Sequence, residues 1–65
     1  TRGFFMKKGD LVKTIYDPRW AVVTKAWRIT IPYSQWAVQF VYPDGERSSQ
    51  PERFIRDVIH VQRQD

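Results

Sequence analysis

Between Tyr42 and Glu46 the chain reads "YPDGE", and no other stretch limits its fold so sharply. In the run before it, "SQWAVQFVY", Trp36, Val38, Phe40 and Tyr42 fall on one side of an extended strand. Ala37, Gln39 and Val41 fall on the other, a period of two. Pro43 presets φ near −65°, Asp44 tolerates the next turn position, and Gly45 can take φ > 0. A turn of this kind with a glycine bulge reverses an antiparallel hairpin with the twist its strands require. The chain is therefore expected to fold its most apolar strand back onto "ERSSQ", its most polar one, which then lies at the surface.

The remaining stretches read as further strands. "KKGDLVKTIYD" opens with a turn at Gly9-Asp10 and continues as a first strand carrying Leu11, Val12 and Ile15, bounded by Asp17-Pro18. "WAVVTKAWRITI" is β-branched and aromatic without a helix cap, which predicts a second strand from about Trp20 to Ile29. Pro32 ends it or confines it to an edge. In "QPERFIRDVIHVQ", Pro51 suits the first position of a helical turn, and "PERF" is long enough for one 3₁₀ turn. A helix from 51 to 62 competes, but Val58, Ile59 and Val61 are β-branched, so "DVIHV" is expected as a short closing strand. The fold class expected is all-β: five antiparallel strands in a small, partly open barrel, with a 3₁₀ turn before the last. Curling the sheet protects edges that would otherwise aggregate. The barrel is placed at 6–62, with a C-terminal tail at 63–65. Met6 followed by "KKGD" looks like a natural start, so residues 1–5 are expected to be a frayed tail, a remnant or a short native extension.

Size sharpens what the aromatic residues must do. A chain of 65 residues buries only about 60% of its unfolded surface. Without cysteine, neither a disulfide nor a thiolate metal site supplements its core. Ten aromatic residues (three Trp, three Tyr, four Phe) are the main stabilising mass, each able to bury roughly 150–250 Å². Trp36, Val38 and Phe40 are assigned to the core, and Phe54 to a plug at the barrel end. An interior this small cannot enclose ten rings, so Trp20, Trp27, Tyr33 and Tyr42, near loops and strand ends, are expected at the surface. Exposed rings of this type mark interaction surfaces.

Chemistry in the catalytic sense finds little support. His60 is the single histidine and sits between Ile59 and Val61, which reads as the outer face of the closing strand. A general base needs a positioned partner, and no sequence feature supplies one. Ser48-Ser49 reads as strand polarity, and the seven acidic residues are scattered without the spacing of a metal cage. The expectation is a non-enzymatic protein with no catalytic residues, metal, cofactor or small-molecule substrate. No stretch approaches the roughly 20 apolar residues that span a bilayer, so no membrane partner is expected. The absence of cysteine fits a reducing cytoplasm.

The segments "KKGDLVK", "WAVVTKAW", "WAVQFVYPDG" and "PERFIRDVI" together resemble the SH3-like barrels of small uncharacterised tailed-bacteriophage proteins, and also KOW modules and Tudor-like barrels. The likeness spans residues 6 to 61. It departs from the KOW pattern at "PRWAVV", where Trp20 stands near the usual glycine. The resemblance implies a binding module, located in the host cytoplasm if phage-encoded.

Basic and aromatic residues interleave at Arg19-Trp20, Lys25 and Trp27-Arg28. The net charge of +4 favours anionic partners. Three functions follow as expectations. The first is a protein-interaction module, host-targeting if phage-encoded, probing its partner with Trp20, Trp27, Tyr33 and Tyr42 inside a basic rim. The second is a nucleic-acid-binding barrel with Lys7, Lys8, Arg19, Lys25 and Arg28 on phosphates and rings on bases. The third is a self-associating structural or assembly component joined through an edge strand such as 28–33; a monomer is expected otherwise. Against all three stands the reading that Arg19, Lys25 and Arg28 only snorkel over the tryptophans. A methyl-lysine cage would additionally need a carboxylate such as Asp17 or Asp44 beside its rings. In "ERSSQPERFIRD", Arg47, Arg53 and Arg56 alternate with Glu46, Glu52 and Asp57, which reads as local ion pairing.

Overall fold

The computed structural model describes residues 6–61. The tails expected at 1–5 and 63–65, and the last residue of the expected barrel, lie outside the described residues. Five strands form: β1 (Leu11–Thr14), β2 (Ala21–Ile29), β3 (Gln35–Val41), β4 (Arg47–Pro51) and β5 (Ile55–Ile59). One 3₁₀ turn, η1 (Glu52–Phe54), directly precedes β5, and no α-helix occurs among the described residues. All neighbours are antiparallel in one sheet, in the order β4-β3-β2-β1-β5. No ladder joins β4 to β5 among the described residues, so hydrogen bonds do not close the strands into a ring.

With no helical layer to cover it, the sheet must bend over its own inner face, because that face is dry. Val12, Val38 and Phe40 are each 0% exposed, packed with Val23, Tyr42 and Ile55. A β-bulge helps the bend: Val23 pairs with Phe40 but Lys25 pairs with Gln39, leaving Thr24 as the extra residue. Thr24 turns this to use by donating its hydroxyl to the Gln39 carbonyl at 3.2 Å. The bulge also keeps Lys25, Trp27 and Ile29 on the outer face with Gln39 and Val41.

The β3–β4 hairpin turns where the sequence predicts. The Gly45 N–H donates to the Tyr42 carbonyl at 2.9 Å, and the Tyr42 N–H to the Glu46 carbonyl at 2.8 Å. Asp44 Oδ1 accepts from the Glu46 N–H at 2.9 Å. Gly45 has φ +95°, a conformation other residues occupy only with strain.

Several aromatic and edge assignments change. Tyr42, expected at the surface, is 8% exposed and meets Phe40 edge-on at 5.5 Å between ring centroids. The bent sheet wraps its end of β3, so the inner-face alternation stays buried right up to the turn. Trp36, at the other end of the same face, is only half-buried. Phe54 is half-buried too and packs against Tyr16 at 5.3 Å instead of plugging the interior. Ile15 lies beyond β1 and is exposed, although its N–H donates to the Phe54 carbonyl at 3.0 Å. The segment 28–33 is not an edge strand. Arg28 and Ile29 pair with Trp36 and Gln35, and residues 30–34 form a loop with a cis Ile31-Pro32 bond.

Candidate functional site

Arg19 shows how far a basic residue's role depends on its surroundings. Asp17 and Arg19 sit in the β1–β2 connection, and Asp44 and Glu46 in the β3–β4 turn. The Arg19 guanidinium reaches all three carboxylates: Asp17 at 2.8 Å, Asp44 at 3.3 Å and Glu46 at 3.3 Å. Its carbon lies 4.0 Å from the centre of the Tyr42 ring. The hydrogen bond from Arg19 holds the Asp17 carboxyl below the usual carboxylate range, and Asp17 in turn raises the guanidinium pKa. Arg19 is thus a clamp between two loops and not a free phosphate ligand. Asp17 and Asp44 surround a cation supplied by the chain itself, so Tyr42 offers no cage to an external methyl-lysine.

The other expected basic residues are dispersed. Lys7 and Lys8 occupy the turn before β1, which the Asp10 N–H closes onto the Lys7 carbonyl at 3.1 Å. Arg28 pairs with Trp36 on the inner face beyond the core, where its Nε donates to Ser34 Oγ at 2.9 Å. Lys25 alone of the five faces outward on β2 beside Trp27, its ammonium 5.7 Å from the indole centre. Trp20 is half-buried under Lys13 (4.6 Å), and Tyr33 is exposed in the β2–β3 loop. The four rings divide among different settings: Trp20 in the β1–β2 connection, Trp27 on the outer face of β2, Tyr33 in the β2–β3 loop and Tyr42 in the core. In "ERSSQPERFIRD", where local ion pairing was expected, Arg56 pairs with its neighbour Asp57 at 3.8 Å. Glu46 goes to Arg19, and Arg53 donates to Gln35 Oε1 at 3.1 Å.

What the fold does assemble is an outer face. Cross-strand register aligns Ile59, Leu11, Val22 and Val41 as an apolar row over four strands, ending at Arg47 on the fifth. Adjacent strands are about 4.8 Å apart, so the apolar part is about 14 Å long. Ile59 and Val22 are 47% and 41% exposed. The next row is Lys25, Gln39 and Ser49, and the next Trp27, Ala37 and Pro51. Ala37 faces outward yet is 3% exposed, because Trp27 and Pro51 flank it in register. Between the first two rows lies a shallow hollow of about 370 Å³ lined by Thr24, Lys25, Gln39, Val41 and Arg47. Neither Lys25 nor Arg47 has an ion-pair partner among the described residues. Arg47 was missed by sequence reasoning as a site residue. Counting the hairpin register back from the turn, Val41 opposite Arg47, was the signal that would have found it.

A second polar centre lies where the turn before β1 meets the end of β5. Asp10 is 0% exposed; His60 Nδ1 sits 2.9 Å from its Oδ2, which also accepts from the Lys7 N–H at 3.1 Å. Its Oδ1 accepts from the Val61 N–H at 3.3 Å. Burial alone would raise the Asp10 pKa, but the His60 bond and the two backbone donors hold it below the ordinary value. His60 therefore does have a positioned carboxylate partner, contrary to the expectation from sequence. The pair ties the end of β5 to the first turn, and no hydroxyl nucleophile contacts the imidazole among the described residues. Among those residues, no three His, Asp or Glu side chains gather as a metal would need, and no helix is long and apolar enough to cross a membrane. Compared with known proteins, the chain matches no family model, no curated protein and no solved structure.

Proposed function

We propose that this protein is a non-enzymatic, SH3-like binding module that engages a protein partner through the outer face of its sheet. The strand order β4-β3-β2-β1-β5 and the 3₁₀ turn before β5 support the SH3-like reading. The observation that carries the function is the apolar row Ile59–Leu11–Val22–Val41, exposed at Ile59 and Val22 and half-buried at Leu11 and Val41, running into a basic hollow beside Trp27. An apolar stripe rimmed by polar and charged groups is the anatomy of a protein contact. Base stacking has less support, because the Trp27 ring is half-buried and Lys25 lies over it. On the resemblance to phage barrels, the setting of this reading is a host-targeting factor in the host cytoplasm.

The test is partner capture from nuclease-treated lysate with the wild-type chain, Val22→Lys and Trp27→Ala. Both variants are expected to lose the captured protein while keeping the wild-type melting temperature within a few degrees. Retention of the same partner by both would remove the outer face as the contact. The nucleic-acid reading is favoured by the two unpaired cations at the hollow. It predicts affinity for a single-stranded oligonucleotide falling steeply between 50 and 200 mM salt.

A further inference from the structure

We infer that the hollow between β2 and β4 is an anion-recognition subsite for an acidic segment of the partner protein, with carboxylates entering between Lys25 and Arg47. The inference rests on the binding-module reading above and adds the chemistry of the ligand. Lys25 and Arg47 stand on strands two apart, so their backbones flank a gap of about 10 Å, and both long side chains line the same hollow.

Three features select the ligand. First, the acidic residues that could neutralise this pair are held elsewhere. Asp44 and Glu46, the nearest in sequence to Arg47, are drawn to Arg19 across the turn. The hollow therefore keeps its positive potential, which favours and orients an acidic partner. Second, Arg47 presents a planar fork suited to a carboxylate, and Lys25 adds a point charge on the opposite wall. Third, the hollow opens onto the apolar row at Val41, which lines it and pairs with Val22. A segment that places a carboxylate in the hollow can lay a neighbouring apolar side chain on Val22 and Leu11. A nucleic-acid backbone offers no such apolar side chain, and so makes poorer use of the same surface.

The experiment is an amide-resolved NMR titration of the full chain with four probes: an alternating Glu–Leu octapeptide, its Gln–Leu and Lys–Leu counterparts, and an eight-nucleotide oligothymidylate. The Glu–Leu peptide is expected to shift the amides of Lys25, Gln39 and Arg47, at least tenfold more tightly than Gln–Leu. In the double variant Lys25→Glu, Arg47→Glu the preference should pass to Lys–Leu. Equal binding of Glu–Leu and Gln–Leu overturns the anion subsite while leaving the face as a binding surface. Tighter binding of oligothymidylate than Glu–Leu overturns it in favour of nucleic acid. Concentration-dependent broadening of these amides without any probe overturns it in favour of a second copy of the chain. No response to any probe overturns the acidic class, and the capture variants then decide separately whether the outer face binds a partner at all.

Discussion

Two regions of this molecule look alike in sequence and behave in opposite ways. Arg19-Trp20 and Lys25-Ala26-Trp27 each put a cation beside an indole. In the fold, Arg19 leaves its neighbour and goes to Tyr42 and three carboxylates, while Lys25 stays over Trp27 with no carboxylate partner among the described residues. The first region is saturated: its charges are spent holding two loops together. The second is unsaturated, so its charge remains available to a ligand. A basic residue beside an aromatic one therefore says nothing about binding until its partners in space are known.

Mutation should affect the two regions unequally. The largest effect belongs to the platform of the saturated region. Tyr42→Ala empties a buried ring site and should cost about 3 kcal/mol, much of the stability a domain this size has, read as a collapse of the urea midpoint. A loss under 1 kcal/mol would mean that Tyr42 is no core residue.

Asp10 is the second saturated centre and comes next. Replacing it by Ala leaves the Lys7 and Val61 N–H groups without their acceptor and should cost about 2 kcal/mol. The pH dependence has a definite sign. The folded-state pKa of Asp10 lies below its unfolded value near 3.8, so the unfolded chain binds more protons in between. The contribution is complete above the unfolded value and disappears as pH falls through the folded one. Asp10→Asn should flatten the acid limb of a stability–pH curve measured from pH 6 to 2; an unchanged limb would place the loss at other carboxylates.

A smaller effect is expected at the clamp's exposed cation. Arg19→Ala should lower the melting temperature by less than Tyr42→Ala does, and part of that loss should vanish in high salt, which screens the wild-type ion pairs. It should also release Asp44 and Glu46 toward the hollow and weaken Glu–Leu peptide binding. The smallest effect on folding belongs to the unsaturated region: Lys25→Ala with Arg47→Ala should shift stability by no more than about 0.5 kcal/mol. If the double variant unfolds as readily as Arg19→Ala, the two regions do not differ and the hollow is a structural feature.

Much of the architecture was legible. The alternation of Trp36 through Tyr42, the turn at Pro43-Asp44-Gly45 and the 3₁₀ turn before a closing strand all depend on neighbours a few residues apart, and all appear where expected. The closing strand itself runs over Ile55–Ile59 and leaves His60 and Val61 of "DVIHV" beyond its end. Burial at the ends of the strands was less legible. Alternation assigns Trp36 and Tyr42 to the same face but does not say how far the sheet wraps over each. Asp10 reads locally as a turn residue; the partners of its carboxylate at His60 and Val61 lie about fifty residues away. Arg47 looked like one member of a charged run until register set it across from Val41.

Local spacing in the chain settles which stretches are strands, where the hairpin turns and which side chains share a face, since those follow from backbone preferences and a period of two. Which cations find carboxylates among the described residues was settled in space, by carboxylates that loop closure brings to Arg19 and keeps from Lys25 and Arg47. Ion pairing acts over a few ångströms, and at Arg19 it joins residues up to 27 positions apart along the chain.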